Sequence, residues 1–160
     1  MNFENKTVLI TGASSGIGKE IARKLSKENC KLVLTSRRIE LLEALQKSLR
    51  VDEKNILVIK CDVSKKEEVQ LAYLKIKEKF GGVDVSILNA GVGHSVAPEN
   101  YDSRFAEEIF GANFIGLIYW VEQLLPDLLK RKSGIVAGVS SLADNRGFSG
   151  SGFYCASKAA

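Results

Sequence analysis

Short apolar runs alternate with amphipathic segments along the whole chain, and the two carry different periods. Thr7 to Thr11, Lys31 to Ser36, Ile56 to Cys61, Val83 to Leu88 and Gly134 to Ser140 are each short and rich in Val, Ile or Leu. Near-continuous apolar runs of that length suit parallel strands covered on both faces. Between them Ile17, Ile21 and Leu25 recur at helical spacing, as do Leu42, Leu45 and Leu49, then Val69, Ala72, Tyr73, Ile76 and Phe80. Each stripe can cover one face of a sheet. Ser64 followed by Glu67 fits a capping box at the start of the third helix, and Gly81-Gly82 supplies its end. A fourth helix, about Asp102 to Arg131, is apolar nearly all round at Ile109, Phe110, Phe114, Ile115, Leu117, Ile118, Tyr119, Trp120 and Val121. Such a helix calls for two buried faces, one of them against the sheet and the other against a partner subunit. The alternation of strand and helix predicts an α/β fold around a parallel sheet.

Composition narrows the class. The 160 residues are 45% hydrophobic and 26% charged, with two prolines, as expected of one soluble globular domain. No apolar stretch approaches the roughly 18 to 20 residues that span a bilayer, so a membrane protein is not expected. Twenty-three basic against nineteen acidic side chains give a formal charge of +4, dispersed along the chain, and nucleic acid is not implied. Cys30, Cys61 and Cys155 are odd in number and widely separated, which reads as three reduced thiols in a cytoplasmic protein with no metal site.

The candidate chemistry begins where the first strand runs into the first helix, at Thr11-Gly12-Ala13-Ser14-Ser15-Gly16-Ile17-Gly18. Glycines permit a tight turn and let backbone N–H groups approach a pyrophosphate, whose charge the positive end of the helix dipole favours. The spacing G-x-x-x-G-x-G departs from the common G-x-G-x-x-G. It resembles the cofactor turn of the short-chain dehydrogenases/reductases. Four further matches follow in order. Asp62-Val63 after the third strand resembles the adenine-contacting segment of that family, and Asn89-Ala90-Gly91 after the fourth resembles its N-A-G motif. Asn113 lies in the fourth helix, and Ser141 stands thirteen residues before Tyr154, itself four before Lys158. These four resemble the family's Asn-Ser-Tyr-Lys tetrad.

Tyr154 and Lys158 at i and i+4 share one helix face. A free phenol has a pKa of about 10 and is a poor acid–base group at neutral pH, but a nearby ammonium stabilises its phenolate. Tyr154 is therefore expected to protonate a carbonyl oxygen as hydride reaches carbon, or to take the alcohol proton in the reverse direction. Ser141 can hydrogen-bond the same oxygen. By resemblance, Tyr154 and Lys158 also belong to the cofactor site, Lys158 holding the nicotinamide ribose, and Asn113 positions a water in the proton relay. His94 reads as a solvated loop residue, and Tyr119 and Trp120 as packing or a subunit interface.

Cofactor choice turns on the end of the second strand, where an acid would bind the ribose hydroxyls of NAD and a base would accommodate the 2′-phosphate of NADP. The chain reads Thr35-Ser36-Arg37-Arg38. Arginines at a helix start oppose its dipole and need an anionic partner or full solvation. NADP(H) is the expected cofactor, with NAD(H) the alternative, although the glycine turn carries Ser15 where many NADP-dependent relatives carry a second base.

The resemblance, with the right-handed crossover rule, implies a three-layer, doubly wound Rossmann-type sheet of strand order 3-2-1-4-5. It implies carbonyl/alcohol interconversion on a small-molecule substrate and a homodimer or homotetramer. Relatives continue beyond Ala160 through two more strands and a substrate loop. The 160 residues are therefore expected to form one nucleotide-binding domain, incomplete at its C-terminus, with an exposed fifth strand and little turnover alone. A nucleotide-binding remnant with a regulatory or interaction role is the competing expectation.

Overall fold

The computed structural model describes residues 2–160. Five strands, β1 (Thr7–Thr11), β2 (Lys31–Ser36), β3 (Ile56–Lys60), β4 (Val85–Leu88) and β5 (Ile135–Gly138), form one sheet in the order β3-β2-β1-β4-β5. Every neighbouring pair is parallel. β1 and β2 span the residues expected, while β3, β4 and β5 are shorter: Cys61, Val83, Gly134 and Ser140 fall in the connections.

Because successive strand side chains point to opposite faces, each strand feeds two cores. Val8, Ile10, Leu32 and Leu34 are fully buried on the face covered by α1 (Gly16–Leu25) and α2 (Ile39–Ser48), whose Ala22, Leu25, Leu42 and Leu45 meet them. Leu9 and Val33 point the other way, into Val69, Ile76, Trp120 and Leu124 of α3 (Lys66–Phe80) and α5 (Gly116–Arg131). Three layers result, with the cores on either side of the sheet.

Local structure differs from expectation at three places. Ile17 is 64% exposed, and α1 buries Gly18, Ala22 and Leu25 instead. The Ser64–Glu67 capping box does not form. The cap position is Lys65, without a side-chain bond; Ser64 Oγ donates to Asp62, and Glu68 rather than Glu67 reaches back, accepting the Asp62 N–H at 2.8 Å. Gly81 does end α3, in the left-handed conformation. The fourth helix is interrupted: α4 (Ser103–Phe110) passes through a π-turn at Gly111–Ile115 into α5. Within the chain one face of it is covered, at Trp120 and Leu124, while Ile118, Leu125 and Leu129 face outward. β5, paired only with β4, is exposed along its length as expected.

The layer of α3 and α5 is tied by a polar knot. The Tyr73 hydroxyl donates to Asp127 Oδ2 at 2.5 Å, and Lys77 Nζ lies 3.0 Å from the same oxygen. Tyr73, then Lys77, hold the Asp127 carboxyl below its usual range. Its contribution is complete above about pH 4 and is lost as pH falls through the depressed folded value. Tyr73→Phe is expected to cost about 1 to 2 kcal/mol at pH 7. In urea melts at a series of pH values, the gap from the unmodified protein should narrow below about pH 4.

Candidate nucleotide and active site

The sheet order reverses between β1 and β4: α1 carries the chain from β1 toward β2, whereas α3 returns it to β4 on the other side. A crevice opens above such a reversal, at the carboxyl ends of the strands. Here the ends of β1 and β4 are locked together. Thr11 Oγ1 accepts the N–H groups of Asn89 at 3.0 Å and Ala90 at 2.9 Å, and Asn89 Nδ2 donates back to the Thr11 carbonyl at 3.0 Å. Two glycines of the turn back directly onto this brace. At Gly12, with φ of +66°, a Cβ would lie 2.8 Å from the Ala90 Cα, and at Gly18 it would lie 2.6 Å from Asn89 Nδ2.

The crevice, about 770 Å³, is lined by Gly12, Ser14, Ser15, Gly16 and Ile17 of the turn, Ser36, Arg37 and Arg38 beyond β2, Cys61, Asp62 and Val63 beyond β3, and Asn89, Ala90 and Gly91 beyond β4. All the expected cofactor residues except Gly18, Tyr154 and Lys158 therefore line one crevice. The exposed Ile17 lies at its lip. Arg38 stands at the cap position of α2, ahead of the helix proper, and its guanidinium reaches across to the glycine turn. Nη2 donates to Ser14 Oγ at 2.9 Å and to Ser15 Oγ at 2.6 Å. The arginine is exposed and has no acidic partner among the described residues. At the opposite wall, burial, with Glu68 and Asp62 nearby, pushes the Cys61 thiol up to about 12, so it stays protonated. Cys30 and Cys155 are free and buried as well.

The β4 strap turns from Gly91 toward the tetrad residues. Asn113, in the π-turn, is buried: its Oδ1 accepts the Val92 N–H at 2.7 Å, and its Nδ2 donates to the Val92 carbonyl and to Ser157 Oγ, both at 2.9 Å. Ser157 Oγ in turn donates to the Tyr154 carbonyl at 2.8 Å within α6 (Gly152–Ala159). Asn113 and Ser157 together fasten the strap to the helix bearing Tyr154 and Lys158. A Cβ on Gly91 would lie 3.6 Å from Lys158 Nζ, and one on Gly93 would lie 3.0 Å from the Tyr154 ring. Lys158 Nζ donates to the Val139 carbonyl at 2.8 Å and sits 5.9 Å from the Tyr154 ring centroid. Asn113, Tyr154 and Lys158 are therefore brought together around Gly91 to Gly93. Ser141, just past β5, accepts the Ala143 N–H at 3.2 Å and makes no hydrogen bond to the other three among the described residues. His94 is not simply solvated: its Nε2 lies 3.0 Å from Glu108 Oε2 and its ring packs against Phe105.

Thr11, Ser157 and Glu68 carry roles that motif reading did not assign. Thr11 stands in the quoted turn and Ser157 falls between Tyr154 and Lys158, and their hydroxyl bonds are legible only in three dimensions.

Glycine turn, braced crevice and cross-crevice arginine fit a dinucleotide: close backbone approach at Gly12, a cation at the turn, and room for an extended ligand. The class is a doubly wound nucleotide-binding α/β protein. The chain belongs to the short-chain dehydrogenase family, whose model matches residues 6–160. An uncharacterized oxidoreductase of Staphylococcus saprophyticus is 36% identical over 157 residues, 98% of this chain and 63% of its own length. A short-chain dehydrogenase/reductase from Burkholderia phymatum in complex with NAD superposes with a TM-score of 0.93 at 29% identity, over 99% of this chain and 57% of that one. An alcohol dehydrogenase from Thermococcus sibiricus, complexed with 5-hydroxy-NADP, gives 0.88 at 33% identity, over 97% and 66%. The chain thus spans about two-thirds or less of these relatives. No helix among the described residues is long and apolar enough to cross a membrane.

Thr11→Val leaves the half-buried Ala90 N–H without its acceptor while conserving shape, the Asn89 N–H keeping the Ile87 carbonyl at 3.0 Å, and is expected to cost about 1 to 3 kcal/mol. Thr11→Ser keeps the acceptor and should cost less than half as much, which thermal melts of the two variants would separate.

Proposed function

We propose that the protein is an NADP(H)-dependent oxidoreductase interconverting a carbonyl and an alcohol, with Tyr154 as the proton donor and acceptor. The observation that carries this reading is the meeting of the Tyr154 ring, Lys158 Nζ and the Asn113 amide at Gly91 to Gly93, where the nucleotide crevice ends. NADP(H) supplies hydride when bound. The turn amides from Ser14 to Gly18 receive the pyrophosphate, and Asp62 and Val63 face the adenine. Arg38, with Ser14 and Ser15 at 2.9 and 2.6 Å, forms a donor-rich corner for a 2′-phosphate, which supports NADP(H) over NAD(H); Arg37 stands beside it.

In reduction, the Tyr154 O–H gives its proton to the carbonyl oxygen as that oxygen gains negative charge, and Ser141 steadies the same oxygen with its hydroxyl. The phenolate left on Tyr154 faces the Lys158 ammonium and recovers a proton from solvent. In oxidation the same proton runs backward. The Asn113 side chain, with both amide hydrogens committed, acts as a brace between the strap and α6. Three buried free thiols support a reducing, cytoplasmic setting. The outward Ile118, Leu125 and Leu129 of α5 support a homo-oligomer.

A second reading, nucleotide binding without turnover, is favoured by the exposure of β5 beside Ser141 and by the lack of a hydrogen bond from Ser141 to Tyr154. Reduction of a panel of aldehydes and ketones, followed by loss of NADPH absorbance, tests both. Tyr154→Phe is expected to lower turnover by about 10²- to 10⁴-fold while leaving affinity for adenosine 2′,5′-bisphosphate within about twofold. A Tyr154→Phe protein that keeps most of its rate contradicts the proton role. NADPH binding with no reduction of any carbonyl by the unmodified protein supports the second reading.

A further inference from the structure

We infer that Glu68 is a positioning residue for the adenine end of the nucleotide: it holds the Cys61 to Ser64 strap in the shape that presents Asp62 and Val63 to the crevice. This rests on the nucleotide reading above. The strap leaves β3 at the sheet's edge, and its last ladder-type bond runs from the Cys61 N–H to the Ser36 carbonyl at 3.0 Å. The next N–H, that of Asp62, has no strand to pair with. An unpaired N–H at a half-buried turn rotates toward whichever acceptor it can find. Glu68, half-buried in the first turn of α3, supplies that acceptor: its Oε2 takes the Asp62 N–H at 2.8 Å.

With the amide fixed, the rest of the strap follows. The Asp62 carbonyl accepts the Lys65 N–H at 3.0 Å, and Asp62 Oδ1 accepts Ser64 N–H at 3.0 Å and Ser64 Oγ at 2.8 Å. These bonds occupy one carboxylate oxygen and leave Oδ2 free of protein donors among the described residues, on a residue that lines the crevice. Glu68 does not line the crevice, so it acts through the backbone of Asp62. Its charge works against the polyanion it serves: a carboxylate near a dinucleotide repels the phosphates. Removing the charge while keeping the acceptor therefore raises affinity or leaves it unchanged. Removing the acceptor lowers affinity for the adenine end only.

Three substitutions separate these effects. Glu68→Gln keeps length and acceptor, Glu68→Met keeps length alone, and Glu68→Asp keeps the charge at the helix start but falls short of the amide. Isothermal titration with NADPH, adenosine 2′,5′-bisphosphate and nicotinamide mononucleotide compares each with the unmodified protein. Glu68→Met and Glu68→Asp are expected to weaken the two adenine-bearing ligands about five- to tenfold, with nicotinamide mononucleotide within about twofold and Glu68→Gln near unmodified. Should Glu68→Met fail to fold, Glu68→Asp, which retains the charge favourable to the α3 dipole, carries the test. Unchanged affinity for adenosine 2′,5′-bisphosphate in the folded Asp variant overturns the inference, as does equal weakening of all three ligands. Failure of the unmodified protein to bind NADPH overturns the nucleotide reading and this inference together.

Discussion

Everything that resembles a functional site here depends on the lock between the ends of β1 and β4. Thr11 and Asn89 exchange bonds across the point where the sheet order reverses, satisfying backbone groups that the ladder can no longer pair. On one side of this lock the chain enters the glycine turn and α1, and on the other it enters the strap from Ala90 to Gly93. A nucleotide wall and a candidate catalytic wall are therefore set against each other by two side chains. Gly12 and Gly18 have no room for a Cβ because the lock is so close, which explains their place in the motif more directly than flexibility does.

From the strap outward, polar side chains pass the geometry on. Asn113 uses its whole amide to join Val92 to Ser157, and Ser157 joins α6, so the Tyr154 and Lys158 helix is registered to the nucleotide wall through buried hydrogen bonds. The π-turn at Gly111–Ile115 contains Asn113; such turns recur at functional sites because an extra residue re-aims a side chain without ending the helix. Arg38 performs the matching task across the crevice mouth, tying the end of β2 to the glycine turn by hydroxyls that an anion can share.

Much of this was legible in the sequence where burial alone decides. β1 and β2 match their apolar runs because they pair with each other over the full length of β1, and Leu42, Leu45 and Leu49 are buried as their spacing requires. Asn113, Tyr154 and Lys158 were located by motif, and the fold brings them together. Periodicity failed where a helix begins at a ligand site: Ile17 has the spacing of a core residue but lies in the first turn of α1, at the crevice lip. The Ser64–Glu67 pairing failed because the edge strand leaves Asp62 unpaired, and Glu68 is the carboxylate that can reach it. The interruption in the fourth helix left no mark in hydrophobic spacing, since a π-turn displaces side chains by one residue within an already apolar stretch.

Thermal melting of the protein titrated with NADPH and, separately, with NADH tests the central claim most directly, because a ligand that binds only the folded state stabilises it. At a hundredfold excess over Kd the gain is about 2.7 kcal/mol. A melting temperature that climbs with both nucleotides, and at lower concentration with NADPH, is the expected result. A melt unmoved by either nucleotide at millimolar concentration would contradict the assignment of the crevice.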